Sequence, residues 1–291
     1  MRVHYSPAYV AAAHSFDTTR KAGWIAGSLV REPISGVELV EPAPLTAHDL
    51  REVHDAAYVD AVRTGRPAAL AQSQGFSWDP ALWQAVTASN GGLCAAAEVA
   101  LREGVSGSLS SGLHHARRGH GAGFCTFNGL ALAARRGARS GLRVLILDLD
   151  AHCGGGTNSV VGREPNLVQV DVATNAYDTY AVMPPHTLEV VRTAAGYLPA
   201  IRRRLDGLDA AGPDFDLLLY NAGMDPHEGS TGGLTGITEA VLAEREALVF
   251  DWARRRGVPV AFCLAGGYVS SRLPRDELVA LHRLTIAAAA A

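Results

Sequence analysis

The sequence is poor in cysteine and has no long apolar run, and each shortage excludes a class of protein. Its four cysteines form no C-x-x-C pair, so neither a disulfide framework nor a cysteine-based zinc site is indicated. No stretch is long and apolar enough to span a bilayer, and the N-terminus lacks an apolar signal segment. We therefore expect a cytoplasmic protein without dedicated membrane binding.

Charged residues are also scarce. They make up 19% of the 291 residues, the formal net charge is -3, and no long basic run is present. A dedicated nucleic-acid binder would show a basic patch or stripe, so that class is disfavoured. Hydrophobic residues reach 48%, which is enough for a large core and argues against disorder. Because the chain shows no linker and no repeat, we expect one domain over residues 1–291.

Short apolar runs alternate with segments of helical spacing along the chain. Strands are predicted at 3–5, 37–40, 107–110, 144–149, 167–172, 216–220 and 258–264. Helices are predicted at 19–30, 57–63, 81–103, 129–136, 187–205, 238–256 and 276–286. A further helix is predicted to begin after Thr46, which would cap it. This alternation predicts an α/β fold, in which a parallel sheet has helices on both faces.

Four segments carry a further expectation. Residues 65–80 show little periodicity and are predicted to form a loop at the rim of a site. Residues 90–92 are expected to interrupt the helix over 81–103, and the alanine tail 287–291 is expected to fray. The segment G-G-G-T at 154–157 lacks the lysine of a phosphate-binding loop, so we interpret it as a turn.

The most informative stretch runs from Arg143 to Thr157. A run of branched apolar residues predicts a strand buried on both faces, and Asp148, Asp150 and His152 follow at alternate positions. Alternate side chains of an extended backbone share a face, so these three point the same way. Unpaired, three buried ionisable groups would cost several kcal/mol of desolvation. The stretch therefore indicates a metal site.

Polar side chains also stand at the ends of the other predicted strands. They are His114, His115, Asp171, Asp225 and Tyr268. Each of them alone is compatible with ordinary core packing. Because the carboxyl ends of parallel strands share one edge, where ligands bind in such sheets, the whole set predicts a site.

One imidazole and two carboxylates of this set suit a catalytic zinc ion. Asp150, His152 and Asp225 would hold the metal and leave an open position for water, as in catalytic zinc sites. A divalent metal bound there lowers the pKa of that water and polarises a substrate carbonyl.

The remaining side chains complete a hydrolytic reaction. His115 is placed to take the proton of the water and later to hand one to a leaving amine. Asp148 would orient His114, and the Tyr268 hydroxyl would donate to the developing oxyanion. The set predicts metal-assisted amide hydrolysis.

Five short motifs occur in a characteristic order along the chain. They are H-H-A at 114–116, G-F-C-T-F-N at 123–128, D-L-D-A-H at 148–152, N-A-G-M-D at 221–225 and A-G-G-Y at 265–268. Together they resemble the zinc-dependent histone deacetylase family. The N-terminal Y-S-P-A-Y and H-S-F-D-T-T-R-K are also similar to its opening, so the resemblance covers most of the chain. The segments R-V-L-I-L-D-L-D-A-H and T-G-G-L-T-G-I look most like the class IV branch, which includes bacterial members.

The resemblance implies an arginase/deacetylase α/β fold with a central parallel sheet. It implies one zinc ion held by Asp150, His152 and Asp225. It also implies that His114 and His115 form the family's catalytic histidine pair, acting on an acylated lysine.

The resemblance further implies a narrow channel for the acyl-lysine chain. Phe124 would wall that channel, Gly123 would offer its carbonyl to the substrate, and Tyr268 would be the oxyanion donor. A structural potassium ion would lie near Asp148 and the region of Asp171.

One position departs from the family pattern. Three residues after the zinc histidine the family usually has Asp or Asn, which bonds the second catalytic histidine, and this chain has Gly155 there. We therefore expect His115 to lack its orienting partner, unless water or another residue substitutes. Altered pH dependence or a slower general base would follow.

Three alternatives stay open at this point. One is deacetylation of a small molecule, such as an acetylated polyamine or a metabolite. Residues 65–80 and 173–186 would set the channel mouth, and their sequence does not indicate which substrate they accept. A second is a binding homologue with little or no turnover, which Gly155 favours and the intact histidine pair and Tyr268 oppose. A third is a two-metal ureohydrolase, whose D-x-H-x-D strings are replaced here by D-x-D-x-H. The oligomeric state is also open.

Overall fold

A parallel β-sheet forms the centre of the computed structural model, which describes residues 1–12, 14, 16–210 and 214–291. Ser15 of the N-terminal motif thus lies outside the described residues. The strands are β1 (Arg2–His4), β2 (Glu38–Val40), β3 (Val105–Ser108), β4 (Val144–Asp148), β5 (Leu167–Ala173), β6 (Thr187–Val190), β7 (Leu217–Ala222) and β8 (Val260–Leu264). Within the described residues the sheet has eight strands in the order β2-β1-β3-β8-β7-β4-β5-β6, and each neighbouring pair is parallel.

Helices cover both faces of this sheet. They are α1 (Lys21–Arg31), α2 (Ala47–Leu50), α3 (Ala56–Thr64), α4 (Ala68–Ala71), α5 (Pro80–Glu103), α6 (Gly129–Arg139), α7 (Gly155–Val161), α8 (Ala194–Ala210), α9 (Glu239–Arg256) and α10 (Arg275–Ala290). Helices α1, α8, α9 and α10 pack on one face, whereas α5, α6 and α7 pack on the other. The predicted α/β fold is confirmed.

Strand β4 shows why its sequence is apolar throughout. Leu145 and Leu147 point into the core beneath α8 and α9, and Val144 and Ile146 point into the core beneath α5 and α6. Both faces are buried, so no position of the strand is free for a polar residue until Asp148 at its carboxyl end.

Seven predicted strands are confirmed, with ends within two residues of the prediction. The helix predicted over 187–205 is wrong at its start, because Thr187–Val190 forms the edge strand β6, paired with β5. Helix α8 begins only at Ala194. The short T-L-E-V segment has β-branched residues at both ends, and its apolar spacing does not distinguish an edge strand from a first helical turn.

Three other predictions about local structure are wrong. Helix α5 continues without interruption through Asn90 to Gly92. A Cβ atom at Gly91 or Gly92 would lie closer than 3.0 Å to neighbouring atoms. These glycines permit close packing instead of breaking the helix. Helix α10 extends to Ala290, as the high helix propensity of alanine allows. The glycine segment predicted as a turn begins helix α7 at Gly155.

The register of the central strands places polar residues side by side. Asp148 is paired with Asp171 of β5 on one side and with Asn221 of β7 on the other. The loops that leave β4, β7 and β8 start from this edge, so their residues converge there. Among the helices of the described residues, none combines the length and apolarity required to cross a membrane.

Candidate active site

Three potential metal ligands meet at the carboxyl edge of the sheet. Asp150 and His152 lie just after β4, and Asp225 lies just after β7. The Nδ1 atom of His152 is 3.1 Å from Oδ1 of Asp150 and 3.2 Å from Oδ2 of Asp225. The structure thus brings together the three residues that the sequence analysis assigned to a metal.

Backbone amides hold the two carboxylates in place. The N–H of Gly266 donates to Oδ2 of Asp150 (2.7 Å), and the N–H of Ala151 donates to Oδ1 of Asp225 (2.9 Å). The other oxygen of Asp225, Oδ2, is buried and has no hydrogen bond of good geometry, and the ring of His152 lies 3.2 Å away. A buried carboxylate oxygen in such a position is stabilised by a cation that it shares with its neighbours.

The electrostatics of the two carboxylates agree with this interpretation. Burial and the neighbouring Asp150 raise the pKa of Asp225 to about 6. Burial also opposes the ionised form of Asp150, but His114 and His152 outweigh it and hold the pKa of Asp150 well below its usual range. The two adjacent buried carboxylates therefore repel each other, and His152, which lies against both, offsets only part of this repulsion.

The donor set fits a divalent metal such as zinc. Zinc accepts one imidazole and two carboxylates at about 2.0–2.2 Å, so neighbouring ligand atoms of a tetrahedral site are separated by about 3.4 Å. The two separations from His152 Nδ1, 3.1 and 3.2 Å, are close to that spacing.

A histidine pair lies beside this triad. Nδ1 of His114 is 2.8 Å from Oδ2 of Asp148, whose Oδ1 accepts a hydrogen bond from Asn221 (2.8 Å). Burial disfavours the charged form of His114, yet Asp148 and Asp150 overcome it and raise the pKa of His114 to about 10. The structure therefore places Asp148 where the sequence analysis expected it, against His114.

The second histidine has a carboxylate partner that the sequence analysis missed. Nδ1 of His115 is 2.9 Å from Oδ2 of Asp178, which lies in the loop after β5. The sequence analysis expected His115 to lack its partner unless water or another residue substitutes, and Asp178 is that substitute. Burial and the charge of His114 lower the pKa of His115 to about 4.

A cleft of about 490 Å³ reaches His115 of the histidine pair and His152 of the triad. Its lining residues are Phe16, Asp17, His115, Gly123, Phe124, His152, Tyr177, Thr231, Tyr268 and Val269. Gly123 has a φ of 51°, and a Cβ atom there would lie closer than 3.0 Å to the ring of His115. Glycine is thus required for the backbone to pass so near the histidine.

Aromatic side chains form the walls of this cleft. The ring of Phe124 is 4.3 Å from that of Phe16 and 5.2 Å from that of Phe76, and the ring of Tyr268 is 5.2 Å from that of Phe16. Phe124 has a φ of 63°, and its N–H donates to the carbonyl of Gln74. Residues 65–80, predicted to be a rim loop, thus contain helix α4 and support Phe124 from behind.

A second pair of acidic residues lies deeper, where a potassium ion was expected. Asp171 accepts hydrogen bonds from the N–H of Gly154 (2.7 Å) and from Gln169 (2.9 Å). Burial and the nearby Asp148 raise the pKa of Asp171 to about 8. A cation shared by Asp148 and Asp171 is compatible with this arrangement, and the potassium ion stays a prediction.

Two buried basic residues near the site were also missed by the sequence analysis. Lys21 of α1 donates to the carbonyl of Ala265, and burial lowers the pKa of its amine to about 8. Arg245 of α9 donates to the carbonyls of Gly223 (2.6 Å) and Leu149 (3.3 Å). Charged residues within helices usually lie at the surface, so no local signal in the sequence distinguished these two.

Fold and site together define the class of this protein. The parallel sheet with helices on both faces and the convergence of ligands at its carboxyl edge are those of the α/β arginase/deacetylase fold. Residues 14–284 match the histone deacetylase domain family. The chain belongs to the histone deacetylase family.

Individual relatives agree with this assignment. An uncharacterized protein of Picosynechococcus sp. is 33% identical over 246 residues, covering 81% of this chain and 79% of the relative. Histone deacetylase 2 of Arabidopsis thaliana is 28% identical over 293 residues, covering 93% and 74%. The crystal structure of an acetylpolyamine aminohydrolase from Burkholderia pseudomallei superimposes with a TM-score of 0.79 at 18% identity, covering 99% and 98%, which shows a shared fold.

Proposed function

We propose that this protein is a zinc-dependent amidohydrolase that removes an acyl group from a lysine side chain. Membership of the histone deacetylase family supports hydrolysis of an amide. The assignment of zinc and of the mechanism rests on one observation, which is the convergence of Asp150, His152 and Asp225 beside a histidine pair.

Asp150, His152 and Asp225 would hold the metal. When bound, a divalent cation supplies a positive charge that polarises the substrate carbonyl and makes a water molecule more acidic. The paired carboxylates would reduce the charge of the ion, and the amides of Gly266 and Ala151 keep both carboxylates oriented.

His115 is the residue we assign as general base. Its Nδ1 faces the carboxylate of Asp178, so the neutral ring carries its proton on Nδ1 and leaves Nε2 as the acceptor. His114 is held protonated by Asp148 and Asp150 and provides positive charge beside the reacting atoms. The Tyr268 hydroxyl, kept neutral because burial raises its pKa well above the usual value, would donate to the oxyanion.

The cleft mouth favours an acyl-lysine over an acetylated polyamine. Phe124, Tyr177 and Val269 are 41%, 49% and 39% exposed there and present apolar surface. Among the cleft residues that the structure describes, Asp17 is the one carboxylate near the entrance, and it accepts a hydrogen bond from the N–H of Val269 (2.6 Å). A polyamine carries several positive charges and would require more free carboxylates at this entrance.

The experiment that tests this proposal is a substrate panel on the purified protein. Acetyl-lysine peptides, longer acyl-lysine peptides and acetylated polyamines are compared with and without a chelator, and the bound metal is quantified. We expect hydrolysis of acyl-lysine that the chelator abolishes and added zinc restores. Protein that binds zinc without hydrolysing any member would instead support a binding homologue, and preferred cleavage of polyamines would contradict the lysine assignment.

The role of Tyr268 is tested in the same assay. We expect Tyr268→Phe to lower kcat by about 100-fold with little change in KM, because the lost hydroxyl acts on the transition state. Tyr177→Phe is the matched control, since it removes a hydroxyl from the same cleft without touching the proposed mechanism. Equal effects of the two changes would rule out the oxyanion role.

A further inference from the structure

We propose that Asp178 is the positioning residue for His115, and that its carboxylate occupies the place that a side chain at position 155 would take. The inference rests on the proposed function in assigning His115 as the base. Three independent observations support it: the contacts of the Asp178 carboxylate, the space at Gly155 and the backbone of the loop that carries Asp178.

The carboxylate of Asp178 is held at both oxygens. Oδ2 accepts from the N–H of Gly156 (3.0 Å) and lies 2.9 Å from Nδ1 of His115. Oδ1 pairs with the guanidinium group of Arg117. Only 7% of the side chain is exposed, so this is a fixed contact of the interior and not a transient one at the surface.

The position of Asp178 excludes any side chain at position 155. A Cβ atom on Gly155 would lie closer than 3.0 Å to both the backbone carbonyl and the carboxylate of Asp178. Real Cβ atoms essentially never approach other atoms so closely. Gly155 therefore leaves the space in which the carboxylate of Asp178 reaches His115.

The backbone conformation and contacts of its loop hold Asp178 against His115. Asp178 has a φ of 59°, a left-handed conformation that Asp and Asn adopt more readily than most residues. The carbonyl of the preceding Tyr177 accepts from the N–H of Cys153 (3.0 Å), and the Tyr177 ring meets His115 edge-on at 5.0 Å. Asn175 in turn donates through its N–H to the carbonyl of Ala151 (2.7 Å).

A functional consequence follows from where this loop lies. Tyr177 lines the cleft, and its neighbour Asp178 orients the base. A carboxylate at position 155 would belong to helix α7 behind the site, whereas Asp178 belongs to the substrate-facing loop. In this protein the orientation of the base therefore depends on the same loop that lines the cleft.

The test compares Asp178→Gly with Asp178→Asn. Glycine removes the carboxylate and tolerates the left-handed backbone, whereas asparagine keeps an oxygen acceptor for His115 without the charge. We expect Asp178→Gly to lower kcat by roughly 10–100-fold while KM and zinc content stay within about twofold. Asp178→Asn should retain most of the activity. Asp251→Asn, which alters an exposed acid paired with Arg254, is the control and should match the unmodified protein.

A second measurement does not depend on turnover. The ¹⁵N chemical shifts of His115 in the metal-free protein report which ring nitrogen carries the proton. We expect the Nδ1–H form in the unmodified protein and in Asp178→Asn, and a mixture of both forms in Asp178→Gly. An unchanged form in Asp178→Gly, or a loss of activity that merely follows a loss of zinc or of folded protein, would overturn the proposal. Because this signal needs no substrate, it also separates failure of the proposal from absence of hydrolase activity.

The exchange of positions is tested by a double variant. Gly155→Asp alone should lower activity, since its side chain collides with Asp178. Combined with Asp178→Gly, it should impair the enzyme less than the product of the two single effects, because the carboxylate then returns to position 155 and the loop is free to move. If the activity losses of the two single variants simply multiply in the double variant, an aspartate at position 155 does not replace Asp178.

Discussion

At the scale of single residues, the candidate site brings two buried carboxylates together at a cost to the folded state. Asp150 and Asp225 repel each other, and one oxygen of Asp225 has no hydrogen bond of good geometry. Binding of a cation would remove this repulsion. The metal-free protein should therefore be less stable than one in which a carboxylate has been neutralised.

This gives a prediction for Asp225→Asn. The amide retains an oxygen for the N–H of Ala151 and removes the charge. We expect the metal-free variant to be more stable than the metal-free parent by roughly 1–2 kcal/mol at pH 7.5, and to lose zinc binding. The measurement is denaturant unfolding of both proteins with chelator and with zinc.

The pKa of Asp225 determines how the stability difference between Asp225→Asn and the parent changes with pH. Because the folded-state value is raised to about 6, the folded protein binds more protons than the unfolded chain between about pH 4 and 6. The advantage of the variant should be absent below about pH 4 and complete above pH 6. If the parent is the more stable protein in chelator at pH 7.5, the repulsion does not exist.

At the scale of secondary-structure elements, helix α9 supports both ligand loops through one buried side chain. Arg245 is fully buried, pairs with Glu246, and donates to the carbonyls of Gly223 and Leu149. Those carbonyls stand close in sequence to Asp225 and Asp150. The helix thus determines the separation of loops that come from two different strands.

We expect Arg245→Met to be strongly destabilising. Removing one partner of a buried ion pair leaves Glu246 uncompensated, which costs about 3–5 kcal/mol. Zinc affinity should also fall, because the two ligand loops lose their shared donor. Urea unfolding and zinc titration measure the two effects.

A surface arginine of the same helix is the matched control. Arg254 pairs with the exposed Asp251, and exposed pairs contribute about 0–1 kcal/mol. Arg254→Met should therefore leave stability and zinc affinity nearly unchanged. Similar losses in both variants would mean that helix α9 does not act through Arg245.

At the scale of the whole molecule, buried neutral histidines make the fold sensitive to acid. His54 shows the cause: Nδ1 lies 2.9 Å from the carbonyl of Arg117, and Nε2 accepts from the N–H of Asn128 (3.0 Å). A protonated ring would direct an N–H at the N–H of Asn128. Burial accordingly lowers the pKa of His54 to about 4, although the carbonyl of Arg117 opposes the shift.

We expect the contribution of His54 to stability to fall as the pH drops from 6.5 to 4. In this range the unfolded chain binds the proton on His54 and the folded protein does not, so this contribution rises with pH. The shift corresponds to about 3 kcal/mol once the pH is well below 4. Across this range, the free energy of unfolding should rise less with pH in His54→Gln than in the parent. Identical slopes would contradict a neutral His54.

Much of the fold could be predicted from local patterns because those patterns reflect burial. Strands β4, β5, β7 and β8 are apolar throughout, since helices cover both faces of the sheet. Edge strand β6 was missed, because it is half-buried and its short pattern does not distinguish strand from helix. The glycines of α5 were misjudged, since their close contacts involve residues distant in sequence.

The sequence by itself determined which side chains stand at the carboxyl ends of the strands, and hence the triad, the histidine pair and Tyr268. Strand periodicity is local, and parallel strands end at one edge, so these residues could be grouped without coordinates. Only the tertiary structure decided which carboxylate faces His115 and which buried bases lie beneath the ligand loops. Asp178 is 63 residues away from His115 along the chain, and contacts across such distances depend on loop paths that no local pattern encodes.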